Sequence, residues 1–144
     1  MAREVIEQKL DSLHRCLQRI EAKFPADVNT LATDYDLQDI ISLNLSRAVQ
    51  LSVDIGAHLI ASLSVPPPGT MGETFDLLAQ EQILDKELAT KLKKSVGFRN
   101  IAVHSYESIN WEIVHNIVKY HLSEFSEFAK ATMIWLENKN NSFK

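Results

Sequence analysis

Two side chains have types and positions that call for a chemical explanation: Arg99 and, five residues on, His104. The segment before them carries a helical apolar stripe. Projected at about 100° per residue from Leu92, Leu88 falls at about −40°, Val96 at about +40° and Val103 at about +20°. Arg99 falls at about −20°, inside the stripe. A guanidinium keeps its proton and is costly to leave dry and unpaired. Arg99 must therefore meet a carboxylate, line a wet cleft or stand at an interface. His104 lies about 140° around the same ideal helix. The two converge only if the helix ends or distorts near Gly97, or if two copies of the segment meet across a two-fold axis. An imidazole with a pKa of about 6.5 exchanges a proton near neutrality. A fixed guanidinium holds a phosphate and the extra charge of its transition state. Such a pair suits a phosphodiester, including RNA cleaved without a metal by activation of the ribose 2′-hydroxyl. Residue types alone leave a purely structural pair open.

Other chemistries lack their signatures. No two of His14, His58, His104, His115 and His121 have the i, i+4 spacing of a helical zinc site. Cys16 is two residues from His14, an offset that turns them to different helix faces. Neither a G-x-G-x-x-G nor a Walker-type loop occurs, and Gly56, Gly69, Gly72 and Gly97 are too scattered to make one. No metal and no cofactor is expected.

These residues must be positioned by helices. The 144 residues, 45% hydrophobic and 24% charged, suit one ordinary globular domain. The single Cys16 precludes an intramolecular disulfide, and the charged N-terminus has no apolar signal core. With no run of ~20 apolar residues, no membrane span is expected and a cytoplasmic location is the default. The net charge of −4 argues against a general nucleic-acid coat protein but not against a local positive site. Nothing alternates at period two for long enough to make a sheet. The expected architecture is all-α, an antiparallel bundle of two long helices with shorter ones packed on them. The long helices span Arg3 to Lys23 and Asp36 to about Leu63. A stiff Pro66-Pro67-Pro68 connector follows. A Thr70–Glu73 capping box opens a helix to about Gln80, Asp85 caps a fourth, and Asn110 caps a fifth that runs to about Leu136. In that fifth helix Ile113, Ile117, Phe125 and Phe128 are expected to face the core. A single domain over 1–137 with a frayed polar tail over 138–144 completes the reading.

Several residues admit two readings. Ala48, Ser52 and Gly56, spaced four apart, let another helix come close, either from the same chain or from a second subunit. Asp54 orients Arg99 or a substrate, or is a solvated helix carboxylate. Lys91, Lys93 and Lys94 draw RNA toward the motif, or complement the negative end of their helix. Trp111 and Trp135 are expected in the core, and His58 as a polar member of a packed helix.

The string Arg99-Asn100-x-x-x-His104-x-Tyr106 resembles the R-x4-H-x-Y motif of the HepT-like branch of the HEPN superfamily, the toxin halves of HEPN–MNT toxin–antitoxin pairs. The similarity extends around it, over roughly residues 40–130. Ala48 to Ile60 resembles that family's second helix, Pro66 to Gly69 its proline-rich connector, Phe75-Asp76-Leu77-Leu78 its F-x-x-L segment, and Gly97-Phe98-Arg99-Asn100 its G-F-R-N. Ser105 stands where many relatives carry an acidic residue. The resemblance implies the HEPN fold, a homodimer, and a metal-independent endoribonuclease toxin of a type VII system with RNA as substrate. It implies catalytic roles for Arg99 and His104, and a supporting role for Asn100. It also implies restraint by an MNT-type nucleotidyltransferase antitoxin, with Tyr106 as the target of adenylylation. The rival reading is a non-catalytic helical module that binds a nucleotide or a partner.

Overall fold

The computed structural model describes residues 2–141, which form seven helices and one 3-10 turn, with no strand among the described residues. Helix α1 (Ala2–Lys23) buries Ile6, Leu10, Leu13, Leu17 and Ile20 along one face and stops ahead of Pro25. A short α2 (Val28–Thr33) follows, opened by Asp27, whose carboxylate accepts from the Asn29 N–H at 2.9 Å. Its six residues span fewer than two turns, so only Leu31 is buried and no periodicity announces it in the sequence.

Helix α3 (Tyr35–Ala61) starts one residue earlier than expected, because Asp34 caps it by accepting from the Leu37 N–H. Packed against α1, α4 and α5, it is the axis of the molecule. Helix α4 (Met71–Gln80) opens at Thr70, whose hydroxyl accepts from the Glu73 N–H at 3.2 Å. The reciprocal bond differs from the expected one: Glu73 accepts from the N–H of Gly69, at 2.8 Å. Helix α5 (Lys86–His104) is capped by Asp85 and lies on α4, α3 and α7.

The single helix expected after Asn110 is two. Helix α6 (Trp111–His121) packs on α2, and α7 (Ser123–Asn141) on α5, α1 and α3, with the break at Leu122. Neither Pro nor Gly marks the change; the two halves simply have different partners. Val114 and Val118 turn inward on α6 while Ile113 is exposed, a departure from the expected apolar face. His115 is buried beside Phe24 and donates from Nε2 to the Pro25 carbonyl at 3.0 Å, which fastens α6 to the end of α1. Trp111 and Trp135 are half-buried rather than core. Helix α7 is helical to Asn141, and the last part of the expected polar tail, 142–144, lies outside the described residues.

The small-residue line is consumed inside the chain. Ala48, Ser52 and Gly56 are buried, and a Cβ on Gly56 would meet Thr74 Cγ2 at 2.6 Å and Leu78 Cδ1 at 3.0 Å. Helix α4 therefore sits in a notch that only glycine provides, and the line is not available to a second subunit. Gly97, by contrast, faces open space. Gly97→Ala should raise stability by about 0.5–1 kcal/mol, the ordinary gain for replacing a helical glycine. Gly56→Ala should lower it by about 1 kcal/mol or more, since overpacking outweighs that gain. Urea unfolding of the two variants checks both signs.

Candidate active site

Helix α5 enters the bundle with Leu88, Ala89, Leu92 and Val96 buried. There the burial stops: no residue from 97 to 113 is buried. Val103, expected on the inner stripe, is 52% exposed, because the last two turns of α5 project beyond the helices that cover its start. Arg99 stands at the point of emergence and is half-buried. Its Nη1 donates to Asn100 Oδ1 at a long 3.4 Å, and among the described residues it forms no ion pair. The guanidinium therefore keeps most of its donors for something else.

His104 is the last residue of α5 and is exposed. The helix passes through Gly97 without interruption, and the Ser105 N–H closes it by donating to Ile101 O at 2.8 Å. Arg99 and His104 thus stay on different faces of one helix, separated by about 7.5 Å of rise. Distortion near Gly97 does not bring them together.

Tyr106 begins the 3-10 turn Tyr106–Ser108 and folds back onto α3. Its hydroxyl donates to Asp39 Oδ1 at 2.6 Å, and its ring meets Trp111 edge-on at 6.0 Å. Burial pushes the phenol pKa up, the Asp39 bond adds to the rise, and a hydrogen bond with Ser42 opposes it. Nothing in the sequence marks Asp39 or Ser42 as a partner of Tyr106, which follows Asp39 by 67 residues.

Other candidates fall elsewhere. Asp54 accepts from Gln50 Nε2 at 2.9 Å and lies 3.8 Å from Lys9 Nζ on α1. It sits about 22 Å along α3 from Asp39, so the fold does not bring it to Arg99. Lys91 pairs with Glu87 and Lys93 with Asp76, well before the end of α5. Lys94 forms no ion pair among the described residues. It lines a cleft of about 310 Å³ with Leu45, Phe98, His121 and Glu124. That cleft opens about 100° around α5 from Arg99 and is not the motif's pocket. His58 is half-buried on α3.

A family model described as Ribonuclease HepT-like matches residues 7–132. The chain belongs to the HepT-like ribonuclease family. Within it, the chain is 36% identical to the mRNA nuclease HepT of Shewanella oneidensis, over 87% of this chain and 93% of that one. It is 26% identical to the tRNA nuclease HepT of Aphanizomenon flos-aquae, over 95% of each. Among solved structures, a tri-AMPylated Shewanella oneidensis HEPN toxin in complex with MNT antitoxin superposes with a TM-score of 0.86 at 34% identity, covering 92% of this chain and 98% of that one. The seven-helix fold is thus that of HepT-like proteins, with the motif on the overhanging end of α5.

Because the folded chain holds the Tyr106 proton more tightly than the unfolded chain, that contribution to stability is intact below the unfolded value of about 10 and is lost as pH rises through the folded value. Phenolate absorbance during alkaline titration should show one phenol ionising above about 10. That phenol should be missing from the titration of Tyr106→Phe.

Proposed function

We propose that the chain is a metal-independent endoribonuclease toxin whose active site forms where two copies meet at the free end of α5. The observation that carries the reading is Arg99: a guanidinium in line with the buried Leu88, Leu92 and Val96, yet emerging without a carboxylate. Around it Ile101, Val103 and Ile113 leave apolar surface open, as a subunit junction would require. A two-fold axis there sets Arg99 of one copy beside His104 of the other, which the regular helix prevents within one copy.

The chemistry follows from the groups. Arg99 holds the non-bridging oxygens of the scissile phosphate and the charge that grows on them. One His104 takes the proton of the ribose 2′-hydroxyl as its oxygen bonds to phosphorus. The His104 of the second copy gives a proton to the 5′-oxygen as the P–O5′ bond breaks. The products are a 2′,3′-cyclic phosphate and a free 5′-hydroxyl. Asn100, bonded to Arg99, steadies the guanidinium. Charge stabilisation and proton transfer are both supplied by side chains, so EDTA should leave cleavage in place.

Control falls to Tyr106. An MNT-type nucleotidyltransferase antitoxin transfers AMP to its hydroxyl: the phenolic oxygen bonds to the α-phosphorus of a nucleoside triphosphate, pyrophosphate leaves and the phenolic proton is released. The AMPylated relative in complex with its MNT antitoxin supports this reading. The acceptor must first leave Asp39, and the added phosphate then occupies Arg99 while the purine obstructs the RNA path.

Arg99→Ala should lower RNA cleavage by about 10²-fold or more and His104→Ala by about 10²–10⁴-fold. Wild-type chain unfolded and refolded with an equal amount of His104→Ala should keep about a quarter of the all-wild-type activity, because only dimers of two wild-type chains hold both imidazoles. A mixture that keeps about half would place each complete site within one chain. On co-expression with the nucleotidyltransferase, intact mass should rise by one or more AMP units on the Tyr106 peptide. The Tyr106→Phe protein should stay unmodified and uninhibited. Silencing of Tyr106→Phe without added mass would mean that inhibition works by binding alone.

A further inference from the structure

Farther along α3 from the docked Tyr106, three guanidiniums line one groove. Arg15 and Arg19, one turn apart on α1, and Arg47 on α3 line it together with Ser12, Cys16 and Gln50, and its volume is about 470 Å³. The buried Cys16 thiol registers all three: burial raises its pKa, and Arg47, Arg19 and Arg15 each pull it down, which requires the charges to be close. Arg15 Nη2 donates to Ser12 Oγ at 3.0 Å. Among the described residues none of the three arginines is in an ion pair, and no carboxylate lines the groove.

Such an arrangement opposes folding, since like charges at i, i+4 on a helix repel and the third faces them without relief. In a chain of net charge −4 it does not follow from composition. The position is also informative. Asp39, Leu43 and Arg47 form one i, i+4, i+8 ridge on α3; Asp39 holds Tyr106, and Leu43 between them is 51% exposed. The groove therefore opens about 12 Å along α3 from the place where the motif segment docks.

We infer that Arg15, Arg19 and Arg47 bind the sugar–phosphate backbone of single-stranded RNA, forming a track that leads the strand to Arg99 and His104. The inference rests on the ribonuclease reading above. Guanidinium forks match phosphate oxygens in pairs, and three of them on a groove follow consecutive phosphates of a strand. A protein partner is the less suited occupant, because no Trp, Tyr or Phe lines the groove to serve as an anchor. Phosphate contacts do not read bases, so the track acts alike on all sequences.

Fluorescence anisotropy of the full chain with a 2′-O-methyl single-stranded RNA, which cannot be cut, reads binding apart from turnover. Replacing Arg15, Arg19 and Arg47 together by Gln should weaken binding by about tenfold or more near physiological salt. The slope of log affinity against log salt should fall by about 2, at about 0.7 per phosphate contact for three contacts. The triple Arg→Lys variant should keep the slope. A dinucleotide too short to reach the groove should be cleaved by the Gln variant at the wild-type rate. A Gln variant that melts like wild type and binds RNA with unchanged affinity and slope overturns the inference. So does a variant that keeps RNA binding but no longer captures the antitoxin, which would assign the groove to a protein. If the wild-type chain binds RNA through this groove but cuts none, the track stands and the ribonuclease reading falls.

Discussion

The organising constraint is that α5 is longer than the bundle that covers it. Its apolar stripe is satisfied through Leu88, Leu92 and Val96 by α3, α4 and α7, Phe98 packs partly on the core beside it, and beyond that the helix carries no buried residue. The last turns add only Phe98 to the packing of one chain, and they carry Arg99, Asn100 and His104. Burial anchors the root of the segment while its tip stays exposed, so rigidity and access come from one helix.

The counterpart is α3. It turns one face to α4 through the glycine notch at Gly56, and another face to α1. At its N-terminal end it holds Tyr106 through Asp39. That bond, with one from Ser42, ties the segment after α5 to the axis of the molecule. The exposed ridge between Asp39 and Arg47 then connects the motif's docking point with the arginine groove, so one helix organises both.

Much of this was legible because it is local. Thr70, Asp85 and Asn110 act as caps within three residues of themselves, and the stripe from Leu88 to Val96 follows the helical period. The ordered set Arg99, Asn100, His104 and Tyr106 drew attention to the right segment. What failed to show was non-local. Val103 continues the stripe in sequence but has no partner in space. Asp54 looked like a possible ally of Arg99, yet its partners are Gln50 and Lys9. The small-residue line is compatible in sequence with a subunit contact, whereas in space Thr74 and Leu78 fill it. The break at Leu122 follows from a change of packing partner, which no residue there encodes.

The absence of any buried residue from 97 to 113 bears on how the protein fails. Core lesions remove fold and activity together, and the damaged chain is cleared. Lesions in the overhang strike side chains on which the core does not lean, so they disarm the molecule and leave its body standing. Under the proposed reading, a lineage under pressure to escape cleavage would therefore accumulate folded, inert copies rather than lose the protein. On that same reading such copies still present α5's free end to intact ones, and a disarmed allele is dominant over an active one.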